Sequence, residues 1–199
     1  KKLFILGICL LLTSCFEITE KIKHNSNQSG DYSLVIDFSN SWLKTKSAIL
    51  LEEVDGVSIP NEEDIKSKLA QFRADASKIK GTSKISTSYD FNTYVFKINF
   101  SYNSIETLNA VLNTIDKKNS LVHFKNNNGR FERIASYPLP KDLAKKEDKK
   151  EDLLKANITA VYTFDKDVAT VQNPNSKLSK SKKTVLLKQN ILNILNNNN

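Results

Sequence analysis

The sequence feature that most constrains the fold is a run of alternating apolar and polar residues near the middle of the chain. Its apolar members are Tyr94, Phe96, Ile98, Phe100 and Tyr102. Because successive side chains of a strand point to opposite faces, this pattern predicts a strand with one buried face. Residues 85–91 predict a partner strand, and Asp90 to Thr93 supply the turn between them. The chain therefore contains a predicted β-hairpin with an aromatic inner face.

The same alternation recurs along the chain and predicts further strands. These lie at residues 16–22, 32–38, 121–124, 131–137, 158–164, 168–171 and 184–187. The turn-forming residues 24–30 join the first two. Asn and Gly at 126–129 join the next two, because both residue types tolerate positive φ. Short connections of this kind favour antiparallel pairing.

Three segments have helical periodicity. The first is residues 41–54, where the apolar positions are less regular. The second follows a cap at Asn61 and carries one apolar stripe. Its members are Ile65, Leu69, Phe72, Ala76 and Ile79. The third begins at an expected cap, Asn103, with Glu106 as its capping-box partner. We therefore predict the α+β class: an antiparallel sheet built of hairpins, with two or three amphipathic helices packed on one face.

The first fifteen residues have the composition of an export signal. Two lysines precede the apolar run Leu3 to Leu12, which is too short to span a bilayer. Leu12-Thr13-Ser14-Cys15 resembles the lipobox of bacterial lipoproteins. The resemblance implies that residues 1–14 are a cleaved signal peptide. It also implies that Cys15 is acylated, with palmitate among the chains, and holds the protein to a membrane.

The rest of the chain is long enough for one domain. We expect a single α+β domain at 15–195, with an exposed charged segment at 141–152 and a disordered tail at 196–199. With Cys9 in the signal peptide and Cys15 acylated, no thiol remains for a disulfide, a nucleophile or a metal site.

The formal net charge is +8, but the charge pattern does not indicate a nucleic-acid partner. Lysine supplies nearly all of the positive charge and is interleaved with Asp and Glu. Arginine, which is favoured for phosphate and base recognition, occurs only at Arg73, Arg130 and Arg133. A solvated surface is the expected role of these lysines, and the basic loop 179–183 gives a weak indication of an anionic surface.

No residue pattern predicts catalysis. The chain lacks a Gly-x-Ser-x-Gly elbow and a glycine-rich phosphate loop. His24 is expected in a turn and exposed, and His123 on a strand and hydrogen-bonded. Two isolated histidines cannot form a histidine-rich metal centre. The paired acids Glu52-Glu53 and Glu62-Glu63 lie near helix ends, where they complement the dipole or are solvated. We therefore predict no enzyme activity, no metal and no cofactor.

The aromatic stripe has two interpretations. It is either sheet core or the lining of an apolar ligand pocket between the sheet and the helices. In the second case the pocket residues are those of the stripe: Tyr94, Phe96, Ile98, Phe100 and Tyr102.

Two groups of proteins resemble this sequence. The lipobox, the early hairpin and residues 162–173 followed by Lys182-Lys183-Thr184-Val185 look like uncharacterised lipoproteins of the Bacteroidota. The strand pattern also resembles the LppM-type lipoprotein domain, which implies lipid or glycolipid binding. Such proteins often carry Asp-Gly before the last strand, whereas this chain has Ser181-Lys182-Lys183.

These observations favour a non-catalytic lipoprotein that binds or scaffolds an envelope protein or another envelope component. The alternative is a carrier of a lipid or other apolar ligand. An enzyme of unfamiliar type is a third hypothesis. The resemblance to lipoproteins of the Bacteroidota implies lipid anchoring in the outer membrane. Surface-exported members of that group often carry acidic residues directly after the cysteine, so the strand pattern that follows Cys15 here favours the periplasmic face over the cell surface.

Overall fold

The computed structural model describes residues 16–54, 57–116, 121–136, 139 and 150–197. The strands are β1 (Glu17–His24), β2 (Gly30–Asp37), β3 (Glu53–Val54), β4 (Val57–Ser58), β5 (Thr82–Asp90), β6 (Val95–Tyr102), β7 (Phe124–Asn127), β8 (Arg130–Arg133), β9 (Asn157–Phe164), β10 (Lys177–Leu178) and β11 (Thr184–Asn190). The helices are α1 (Trp42–Leu51), α2 (Glu62–Ser77), α3 (Ile105–Asp116), α4 (Lys150–Lys155) and α5 (Ile191–Asn197), with a 3₁₀ turn at Ser39–Ser41 before α1. The predicted α+β class is confirmed.

Seven strands form one sheet in the order β10-β11-β9-β1-β2-β6-β5. Every adjacent pair is antiparallel except β1 and β9, which run parallel in register from Glu17 opposite Asn157 to His24 opposite Phe164. The expectation of a purely antiparallel sheet is therefore corrected at one pair. Parallel neighbours need a long crossover, and here the chain between β1 and β9 contains most of the helices.

The core lies on one face of this sheet. The inward residues of β1, β2 and β6 are mostly apolar and pack against the buried sides of α1, α2 and α3. The opposite face carries Thr19, Lys21, Ser33 and Lys97, which are part-buried or exposed. Alternation with one polar face is what an antiparallel sheet covered on a single side requires.

Strand β1 lies at the centre of the sheet, and the described residues begin immediately before it, at Phe16. Phe16 is 4% exposed and its ring centroid lies 5.6 Å from that of Phe38. The Asn157 N–H donates to the Phe16 carbonyl at 3.1 Å. We call this end of the sheet, where Phe16, Phe38 and Ala156 meet, the Phe16 end.

Local sequence chemistry explains most element boundaries. Asn61 caps α2 in a capping box with Asp64, as its position predicted. The turn of the β7–β8 hairpin has positive φ at Asn128 (51°) and Gly129 (81°), the type I′ geometry that Asn-Gly favours. This hairpin forms a two-stranded sheet of its own and lies over the inner face of the main sheet.

Two local predictions, a strand at 168–171 and a helix cap at Asn103, were wrong. Residues 168–171 form no strand. The backbone N–H of Val168 instead donates to the Lys182 carbonyl in a loop contact. Ser104, not Asn103, caps α3, since its Oγ accepts the Thr107 N–H at 3.2 Å. Of the charged segment 141–152, residues 150–152 begin α4 and the others lie outside the described residues. Helix α5 extends through Asn197, within the segment that was predicted as a tail.

Candidate functional site

The inner face of β1 carries two polar side chains among apolar ones. Glu20 and His24 are 2% and 3% exposed and lie on either side of the buried Ile22. Burying polar groups costs free energy unless they are hydrogen-bonded. We therefore take these two side chains and their hydrogen-bond partners as the candidate site in the described core.

Glu20 accepts hydrogen bonds from three side chains on three different strands. Tyr162 Oη donates to Oε1 at 2.6 Å, and Tyr32 Oη donates to Oε2 at 3.1 Å. Arg133 Nε lies 3.3 Å from Oε1 and forms an ion pair with the carboxylate. Both oxygens of this buried carboxylate are therefore engaged from β2, β8 and β9. We call these four residues the Glu20 cluster.

The β7–β8 hairpin brings Arg133 to this position. Its turn places Phe124 and Phe131 against the sheet, with ring centroids 6.0 Å and 5.7 Å from that of Tyr162. The Arg133 guanidinium lies 5.6 Å from the Phe124 ring centroid and donates to the Ala135 carbonyl. The ion pair between Arg133 and Glu20 therefore links the β7–β8 hairpin, which is a separate two-stranded sheet, to the central strand β1.

The second set of buried polar contacts is centred on His24. Asn126 Nδ2 donates to its Nε2 at 2.8 Å, so the neutral ring carries its proton on Nδ1 and donates to Tyr102 Oη at 3.0 Å. Burial lowers the pKa of His24 from its ordinary value of 6.5, and the nearby Asp165 carboxylate opposes that shift. Burial also raises the pKa of the Tyr102 phenol. Both groups are therefore held neutral at physiological pH.

The predicted position of His24 was wrong and that of His123 was partly right. His24 is the last residue of β1 and is buried, not an exposed turn residue. His123 precedes β7, is buried, and bonds through Nε2 to Asn113 Oδ1 at 3.2 Å. Among the described residues, no group of three or more His, Cys, Asp or Glu could hold a metal ion.

The predicted aromatic stripe is buried throughout. Tyr94, Phe96, Ile98, Phe100 and Tyr102 are each at most 8% exposed. Tyr94 lies in the turn before β6 with φ of 55°, and the other four share the inner face of that strand. Phe100 packs on Tyr32 at 5.0 Å between ring centroids, and Tyr102 bonds to His24.

An apolar cavity of about 30 Å³ lies between the sheet and helices α1 and α2. Phe96 and Ile98 of the stripe line it, together with Leu34, Ile36, Phe38, Thr45, Ile49, Ile65 and Leu69. An engineered apolar cavity of roughly 150 Å³ takes up benzene, so this one is too small for an acyl chain without movement of a helix. The pocket interpretation therefore stays a prediction.

Sequence reasoning missed Glu20, although its position carried a clue. The alternation places Phe16, Ile18 and Ile22 on the inner face, and Glu20 has the same parity. A charged residue at an inward position of a central strand must meet buried partners. Those partners come from residues 32, 133 and 162, which no local pattern links to residue 20.

The fold is an α+β sandwich of one sheet with helices and a small hairpin on a single face. No family model and no curated protein matches the chain. Among solved structures, the folded domain of the LppM protein of Mycobacterium tuberculosis, determined by NMR, is similar over 90% of this chain and 84% of its own. The TM-score is 0.43 and the sequence identity 10%. Cys15 lies outside the described residues, and no helix within them is long and apolar enough to cross a membrane.

Proposed function

We propose that this chain is a bacterial lipoprotein, held in the outer membrane by acylated Cys15, with a non-catalytic domain that binds or scaffolds an envelope component. The observation that carries the proposal is the junction between the two parts. The lipobox-like segment ends at Cys15, and the buried Phe16 and central strand β1 follow without a linker. A lipid on Cys15 would hold the Phe16 end of the sheet directly against the bilayer.

The polar core supports a structural, non-catalytic domain. Glu20, the most deeply buried carboxylate of the described residues, bonds to two tyrosine hydroxyls and an arginine inside an aromatic shell. A general acid or base needs access to substrate, and these contacts instead fix one element on another. In the described part of the chain, the face of the sheet opposite the core presents hydroxyl, amide and lysine groups, and we assign it as the surface for the envelope partner.

Membrane fractionation of the full chain tests the anchor. Expressed in a Gram-negative host, the wild type is expected in the outer-membrane fraction, and the Cys15→Ala variant in the soluble periplasmic fraction or retained as uncleaved precursor. An inhibitor of the lipoprotein signal peptidase should make the wild type accumulate as precursor. Identical soluble behaviour of both chains would contradict the proposal, and a hydrolase or transferase activity lost on substituting one carboxylate would contradict its non-catalytic part.

The second candidate function is a carrier of an apolar ligand, and the cavity under α1 favours it. Its lining is almost wholly aliphatic and aromatic and lies where the stripe predicted a pocket. Loading would require α1 or α2 to move outward from the sheet.

Native mass spectrometry distinguishes this candidate. A lipid-sized mass bound to the Cys15→Ser chain lacking residues 1–14, and lost in Phe96→Arg, is the result expected for a carrier. Val35→Arg, on the opposite face of β2, is the matched control and should keep the bound mass. A bare protein mass for all three would leave the scaffold function as the explanation.

A further inference from the structure

Helix α1 concentrates the exposed apolar side chains of the described structure. Leu50, Leu51, Leu43 and Trp42 are 73%, 69%, 61% and 47% exposed, and the three leucines are the most exposed of all large hydrophobic residues described. The opposite side of the same helix buries Thr45, Ala48 and Ile49 against the core. The helix is therefore apolar on both faces, which explains its irregular sequence pattern. Four large apolar side chains exposed on one helix of ten residues mark a candidate interaction site.

The position of α1 identifies what that surface meets. Phe38 packs against Phe16, and the 3₁₀ turn that follows leads directly into Trp42. The start of α1 is therefore only four residues from a side chain in contact with the residue after Cys15. If Cys15 is acylated, the bilayer surface lies beside this end of the helix.

The chemistry of the exposed face suits a lipid headgroup region. Trp is enriched at membrane interfaces because its ring is apolar and its N–H is polar. Leu43 and Leu50 are seven residues apart, about two helical turns, so both lie along one line on the side away from the core. Lys46 is exposed on the same helix, where its ammonium group would attract anionic headgroups.

We propose that α1 is an interfacial helix that lies on the bilayer through Trp42, Leu43 and Leu50 and fixes the orientation of the domain on the membrane. This inference rests on the proposed lipid anchor at Cys15. It also places the basic loop 179–183 away from the bilayer, because that loop joins β10 to β11 at the end of the sheet opposite the Phe16 end. The lysines of this loop weakly indicated contact with an anionic surface, and in this orientation that surface is not the membrane that holds the lipid anchor.

The single tryptophan of the chain makes a direct test possible. The acylated full-length protein is reconstituted into vesicles of phosphatidylethanolamine and phosphatidylglycerol, with or without bromine on the acyl chains. In the vesicles, Trp42 emission is expected at a shorter wavelength than in the unacylated Cys15→Ser chain lacking residues 1–14, measured in buffer. Most of the Trp42 emission intensity should be lost in the brominated vesicles. Leu43→Gln with Leu50→Gln should reduce the quenching while the thermal unfolding curve stays unchanged, since both side chains are exposed.

A matched probe places the only tryptophan at the other end of the sheet. Lys180→Trp in a Trp42→Phe background should show equal emission in both vesicle types. An intact mass without acyl chains would overturn the anchor and the helix inference together. An acylated wild type whose Trp42 is quenched no more than the indole of the Lys180→Trp variant would overturn the helix inference alone.

Discussion

Tyr162 Oη lies 2.6 Å from Glu20 Oε1 across the parallel pair β1 and β9. This hydrogen bond joins residues that are 142 positions apart in sequence. With the Arg133 ion pair it links the N-terminal strand, the β7–β8 hairpin and the C-terminal half of the sheet. The Glu20 cluster is therefore the point at which the late part of the chain closes onto the early part.

Removing the carboxylate should destabilise the fold strongly. Glu20→Ala removes the acceptor that Arg133 Nε and two tyrosine hydroxyls share. We expect a loss of about 3 kcal/mol of unfolding free energy, the low end for a broken buried pair because Arg133 keeps some exposure. Urea denaturation measures it.

The matched control is the neighbouring carboxylate on the outer face. Glu17 is 43% exposed and lies 3.6 Å from Lys188, so Glu17→Ala should cost less than about 1 kcal/mol. Equal losses for the two variants would contradict the structural role of Glu20.

The hydroxyl of Tyr162 can be tested separately from its ring. Tyr162→Phe keeps the contacts with Phe124 and Phe131 and removes one hydrogen bond to the carboxylate. We expect a loss of about 1–2 kcal/mol in thermal or urea unfolding. Tyr89→Phe, at an exposed ring, should change stability by less than about 0.5 kcal/mol. A neutral Tyr162→Phe would show that the ring alone matters.

Elements with local periodicity could be predicted from the sequence, and contacts between distant segments could not. Strand β6 and helix α2 were predicted because each has one apolar face with a clear period. The strand predicted at 168–171 failed because alternation over four residues does not ensure a partner strand. The parallel pairing of β1 with β9, and the Glu20 cluster that depends on it, follow from the order of strands in the sheet. No residue near position 20 encodes that order.

The exposed apolar surface of α1 also could not be predicted from the sequence. Its apolar positions are visible there, but a helix that is apolar on both sides gives no stripe. The structure separates the buried Thr45, Ala48 and Ile49 from the exposed Leu43 and Leu50.

The stability of the protein should depend on His24 at mildly acidic pH. Because burial lowers the pKa of His24 in the folded state, the unfolded state binds the proton more readily below its ordinary pKa of 6.5. The stabilisation from the neutral buried ring is therefore fully present above that pKa and is lost as the pH falls toward the folded-state pKa.

Unfolding free energies measured between about pH 7.5 and about pH 5 test this dependence. The wild type should lose more stability over this range than the His24→Gln variant, whose side chain does not titrate. Asp165, which lies near the ring, stays ionised over this range because its pKa is below its ordinary value, and the other carboxylates contribute equally to both chains, so the difference reports His24. Parallel pH profiles would contradict the account.

Two glycines should respond very differently to the same substitution. A Cβ at Gly30 would lie 2.2 Å from the Lys23 carbonyl oxygen and 2.3 Å from Tyr102 Oη, so Gly30→Ala should cost about 3 kcal/mol or more and disturb the His24–Tyr102 bond. A Cβ at Gly129 meets nothing within 4 Å, and its φ of 81° alone predicts a cost of about 1 kcal/mol. Thermal unfolding of the two variants measures the difference, and a reversed order would contradict the packing at Gly30.

The most direct test of the proposed function is the mass of the N-terminal peptide after expression of the full chain in a Gram-negative host. The account predicts a mature chain that begins at Cys15 and carries a diacylglyceryl group on the thiol and an acyl group on the amine. A chain that keeps residues 1–14, or one with an unacylated Cys15, would contradict it.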